Sequence, residues 1–66
     1  MTIPTRGETY SKLMEYLRHA QEEAATMAHL SNANDERENA KAWLMVSENF
    51  KKMQHTLTIL ATKGLQ

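Results

Sequence analysis

The chain has 66 residues, no cysteine and a formal net charge of +0, eight Lys and Arg standing against eight Asp and Glu. That length gives one small domain, and chains below ~70–80 residues rarely bury enough apolar area to be stable without disulfides, a metal or association. The lack of thiols excludes a disulfide framework and a thiolate metal site, the balanced charge argues against a general phosphate-backbone binder, and association between chains is the expected source of stability.

The opening "MTIPTRGETY" has no apolar h-region, and no apolar run anywhere approaches the ~18–20 residues of a membrane span, so a soluble, cytoplasmic chain with no membrane contact is expected. Pro4 and Gly7 come early, and Thr5 followed three residues later by Glu8 fits a capping box, with Thr9 as an alternative cap. From there a tract of good helix formers predicts a first helix over about residues 7–30.

The cap and turn formers inside the tract cluster at "SNAND", Ser31 to Asp35, which predicts a turn over about 31–35. Asp35 or Asn34 is expected to cap a second helix over about 35–63, with Asp35, Glu36 and Glu38 in its first turn, where the helix dipole favours negative charge. Lys63 and Gly64 read as its C-terminal signal. The charges are unevenly placed. Residues 21–42 hold Glu22, Glu23, Asp35, Glu36 and Glu38 against Arg37 and Lys41, a net of −3. The remainder holds Arg6, Lys12, Arg18, Lys51, Lys52 and Lys63 against Glu8, Glu15 and Glu48, a net of +3. A chain folded back at its middle therefore has an acidic and a basic end.

Apolar spacing supports both helices. Tyr10, Leu13, Leu17, Ala20, Ala24 and Met27 follow a three-four alternation, widened by Met14 and Ala28. Trp43, Val46, Phe50, Met53, Leu57 and Leu60 do the same, widened by Ala40, Ala61 and Leu44. A sustained 3.5-residue repeat marks helices lying nearly parallel along a shared seam, and a short turn makes them antiparallel neighbours. The expected fold is all-α, an antiparallel two-helix hairpin. Stripes this wide would stay partly wet in one hairpin, so a homodimer forming a four-helix bundle is expected, with a host protein that supplies the missing helices as the competitor.

A catalytic reading has little to build on. His19, His29 and His55 fall away from the apolar seam, no two share a helix at i, i+3 or i, i+4, and no HExxH-like spacing supports metal binding. Glu8 with Lys12 and Glu48 with Lys52 are i, i+4 pairs expected to stabilise an exposed face by ~0.2–0.5 kcal/mol each. No Gly-rich phosphate loop, nucleophile elbow or Cys/His pair is present, so neither an enzyme nor a cofactor is expected.

Trp43 suits a partner anchor, but its place in the repeat favours a core role. Tyr16, Met45 and Ile59 lie off the main stripes and are the candidate surface for another protein. Lys12, Arg18, Lys51 and Lys52 are candidate nucleic-acid contacts, although Glu15 and Glu48 interrupt them and a helix-turn-helix reader would add a third helix.

The stretch "YSKLMEYLRHAQEEAATMAHL" followed by "AWLMVSENFKKMQHTLTILATKGLQ" resembles the small helical proteins encoded in the exo-xis region of lambda-like bacteriophages. The resemblance covers nearly the whole chain and lies in sequence character and length, with no diagnostic motif. It implies an early phage protein in the infected bacterial cytoplasm, from a region associated with altered host cell-cycle behaviour and with the choice between lysis and lysogeny. It carries over no functional residues. The function expected is that of a non-enzymatic regulatory protein that binds a host or phage protein, the alternative being a small nucleic-acid-binding regulator with a basic helical face.

Overall fold

A computed structural model describes residues 5–64. It contains two helices, α1 (Arg6–Ala33) and α2 (Arg37–Gly64), packed against each other as an antiparallel hairpin. The all-α hairpin read from the 3.5-residue spacing is the observed architecture. Its Cα extents are 47 × 27 × 10 Å, so the pair forms a layer one helix thick, and both broad faces meet solvent.

At the start of α1, Thr5 is the N-cap: its backbone is extended and its Oγ1 accepts from the Glu8 amide at 3.1 Å. This is one half of the capping box, and it satisfies an amide that the first turn leaves without an intrahelical partner. The threonines farther along are accommodated by bonding backwards. Thr26, Thr56, Thr58 and Thr62 each donate from Oγ1 to the carbonyl four residues earlier, at 2.9–3.1 Å.

The turn departs from expectation. Ser31, Asn32 and Ala33 remain helical, α2 begins only at Arg37, and the link is three residues, Asn34 to Glu36. Asp35, expected as a possible cap of α2, instead terminates α1. It sits at φ 60, its amide donates to the Asn32 carbonyl at 3.1 Å, and the Glu36 amide donates to the Ser31 carbonyl at 2.8 Å. Those two bonds are the paired closures of a Schellman motif, with Asp35 in the left-handed position usually held by glycine. Aspartate tolerates that conformation better than most residues, and this demand of α1 outweighs a capping role in α2. Asp35→Gly is therefore expected to stabilise the hairpin by about 0.5–1 kcal/mol, read as a higher urea midpoint at unchanged slope. The Asp35–Arg37 pair lost with it is exposed, at 3.7 Å, and contributes little.

The contact between the helices is built from small and polar side chains. Among the described residues, Ala24, Ala28, Ser31 and Ala40 are buried, at 2–4 % exposure, and no large side chain is fully buried. Small residues beside a three-residue link let the backbones approach closely. Farther from the turn, Ser47 Oγ donates to the Gln21 carbonyl at 3.3 Å, and Gln54 Nε2 donates to Gln21 Oε1 at 2.6 Å and to the Leu17 carbonyl at 3.4 Å. These bonds fix the register by placing residue 47 beside 21 and residue 54 beside 17 and 21. A slip of either helix would leave partly buried amides without partners, at a cost of about 1–3 kcal/mol each.

Candidate interaction surface

The two apolar stripes do not pair along their full width, because alternate members turn onto different parts of the hairpin. Tyr10, Leu17 and Ala24 of α1, and Trp43, Phe50 and Leu57 of α2, are partly or fully buried and border the interhelical contact. The members between them follow another course. Leu13, Met27, Met53 and Leu60 are 44, 40, 49 and 56 % exposed, while Ala20 and Val46 are partly buried. Within one hairpin, the seam expected through Leu13, Ala20, Met27, Val46, Met53 and Leu60 is displaced onto the neighbouring rows.

Those rows are Met14, Gln21 and Ala28 on α1, and Ala40, Ser47, Gln54 and Ala61 on α2, all buried or partly buried and spaced by seven. They take the central place for a geometric reason. Close approach of two helices requires small side chains, and the glutamines are admitted because they bond each other. Met14, Ala28, Ala40 and Ala61 are legible as neighbours of the apolar stripes, whereas Gln21 and Gln54 are hidden by their polarity. The seven-residue spacing is the signal that marks them.

In an antiparallel pair, the rows displaced to one side of the contact on both helices share one face. Accordingly, Leu13 and Leu17 of α1 and Met53 and Leu57 of α2 line a single open groove that is almost wholly apolar, edged by Lys52 and Thr56. The hairpin thus has one apolar face, running from Met27 and Val46 near the turn to Leu13 and Leu60 near the termini. It is a surface without polar convergence, suited to covering by another apolar surface.

The other candidates are dispersed. Tyr16 and Met45 are 66 and 67 % exposed, and Ile59 is also exposed. Met45 and Ile59 lie two heptads apart with Lys52 midway, so they share the outer edge of α2. Tyr16 belongs to the outer side of α1, beside a shallow hollow formed by Glu15, Arg18, His19 and Glu22 of that helix alone. The expected partner surface is therefore an edge of α2 plus a separate tyrosine.

The four basic residues divide similarly. Lys52 borders the apolar groove, whereas Arg18 lines a hollow with Tyr10, Ser11, Met14 and Glu15 on the opposite side of α1. Lys51, a 100° step from Lys52, turns toward the same side as Arg18, and Lys12 points to the outer edge of α1. Only Arg18 and Lys51 share a face, with Glu15 beside the former.

The ion pairs of the described residues include His19–Glu23 at 3.9 Å, Arg37–Asp35 at 3.7 Å and Lys41–Glu38 at 4.0 Å, all solvent-exposed. Glu8–Lys12 and Glu48–Lys52, expected from spacing, are not among them; such pairs gain too little in water to hold long side chains in place. Among the described residues no group of three or more His, Asp or Glu is arranged to hold a metal, and no helix is long and apolar enough to cross a membrane. No protein-family model, curated protein or solved structure matches the chain.

Proposed function

We propose that the chain is a non-catalytic interaction protein that works as a homodimer and binds a host or phage protein. The observation that carries this reading is the continuous apolar face of Leu13, Met27, Met53 and Leu60 on a hairpin with no large side chain fully buried among the described residues. A surface of this kind is normally covered in a working protein. A second, smaller apolar feature, Met45 and Ile59 on the outer edge of α2, stays open when that face is covered and is the proposed contact for the heterologous partner.

The non-catalytic reading rests on the sequence, which supplies no nucleophile–base pair and no metal-ligand spacing. The resemblance to exo-xis proteins supports the biological setting. There the protein acts early in infection, in the bacterial cytoplasm, and biases host physiology or the choice between lysis and lysogeny through its partner.

The test is affinity capture of the tagged full chain from bacterial lysate, with and without nuclease, beside a Met45→Asp/Ile59→Asp variant. The expected result is a stoichiometric protein that survives nuclease with the wild-type chain and is lost with the variant. Recovery dominated by nucleic acid, falling steeply with salt and abolished by Lys51→Ala/Arg18→Ala, would overturn the reading in favour of a basic-face regulator.

A further inference from the structure

The apolar face and the charge distribution together specify how two copies meet. We infer that the occupant of the face is a second copy of this chain, docked about a two-fold axis perpendicular to the helices, so that the turn of each hairpin lies over the terminal half of the other. This orientation presupposes the dimeric reading above.

The area exposed is consistent with a missing copy. The chain has 5536 Å² of accessible surface, whereas a compact monomer of 7.6 kDa is expected to expose about 4,300 Å². The excess exceeds the ~800 Å² that each partner contributes to a standard interface.

Charge selects the occupant and its direction. The turn-side half of the helical pair, residues 20–50, carries Glu22, Glu23, Asp35, Glu36, Glu38 and Glu48 against Arg37 and Lys41, a net of −4. The terminal half, residues 6–19 and 51–64, carries Arg6, Lys12, Arg18, Lys51, Lys52 and Lys63 against Glu8 and Glu15, a net of +4. The hairpin is therefore complementary to an inverted copy of itself. Two copies with their turns at the same end would stack −4 on −4 and +4 on +4, and with turns at opposite ends each acidic half meets a basic one.

The apolar face has matching symmetry. Leu13 and Met27 each lie seven residues from Ala20, and Val46 and Leu60 each lie seven from Met53. The hairpin register sets Ala20 opposite residues 48–51, so Met53 lies within about one turn of its level. A perpendicular two-fold at that level lays α1 on the partner's α1 and α2 on the partner's α2, both antiparallel. Leu13 then meets the partner's Met27, Val46 meets the partner's Leu60, and Ala20 and Met53 each face their own copies. This is the self-complementary pattern that an isologous interface demands.

Because the native chain has no cysteine, one introduced thiol reports cleanly. Asn34→Cys lies in the exposed turn, away from the face. Spin-labelled there, the full-length dimer is expected to give an inter-label distance of about 40 Å or more, the length of a 28-residue helix at 1.5 Å per residue. A distance within about 20 Å, the scale set by interhelical spacings of 8–10 Å, would overturn the orientation while leaving a dimer. A labelled chain that shows no dipolar coupling and sediments as a folded monomer would overturn both the orientation and the dimeric reading. A companion variant, Met53→Asp, tests the face: dimer dissociation is expected to rise at least ~tenfold, since the symmetric contact would bring two carboxylates together in an apolar setting. A dimer unaffected by that change would overturn the assignment of the face.

Discussion

Phe50→Asp is expected to abolish stable helical structure at micromolar concentration, seen as collapse of the far-ultraviolet circular dichroism and loss of any cooperative melt. Phe50 is partly buried beside the interhelical contact, one turn from Gln54, whose Nε2 donates to the Phe50 carbonyl at 3.3 Å. Removing a packed aromatic side chain typically costs about 3–5 kcal/mol, and the carboxylate adds a desolvation penalty. A single core of this size rarely supplies more than about 3–5 kcal/mol in total, so nothing remains to hold the hairpin. A Phe50→Asp chain with wild-type helicity and midpoint would show that the contact does not run through Phe50.

Ala40→Leu is the second change of large expected effect, and it tests the small-residue contact near the turn. Ala40 is 2 % exposed, across the three-residue link from buried Ser31. Leucine is nearly as good a helix former as alanine, so the cost isolates packing. Three added carbons where two backbones approach closely force the helices apart, and an overpacking cost of about 1–3 kcal/mol is expected. The same substitution at exposed Ala42, two residues on, is expected to leave the urea midpoint within error of wild type. Equal effects at the two positions would show that the helices do not approach closely at Ala40.

The contrast between these two positions also shows what the amino-acid sequence makes legible. That there are two helices, that they start at Thr5 and run to Lys63–Gly64, and that they fold back on each other all follow from spacing, one cap and the placement of breakers. Those are local properties, and the 3.5-residue repeat through twelve apolar positions leaves no strand alternative. The phase of the contact is a different matter. Hydrophobicity ranks Leu13 and Met53 above Gln21 and Gln54, yet the glutamines lie between the helices because Gln54 donates to Gln21 and because, Met14 apart, the rest of their rows is small. The larger apolar row is thereby turned outward, a choice that depends on interhelical distance and is invisible to either helix alone.

The turn repeats the lesson on a smaller scale. Ser31, Asn32 and Asp35 all carry side chains that favour turns, and their cluster marks the right neighbourhood. Where the helix ends is decided by which residue can sit at positive φ and close the Schellman bonds, and that residue is Asp35, four positions beyond Ser31. The candidate partner and nucleic-acid residues have exposure or charge in common but no shared direction. They therefore scatter over the outer edges and both faces of the hairpin once the register is set.

The displaced apolar row gives these observations a common sense. In the proposed reading, a hairpin whose buried contact is small and polar, and whose Leu13, Met27, Met53 and Leu60 line one open face, is half of a thicker body. Sedimentation equilibrium of the full-length chain over the micromolar range tests this most directly. The expected mass is twice that of the 7.6 kDa chain, with helicity and mass lost together on dilution. A single folded species at the chain mass, keeping full helicity across the range, would contradict it.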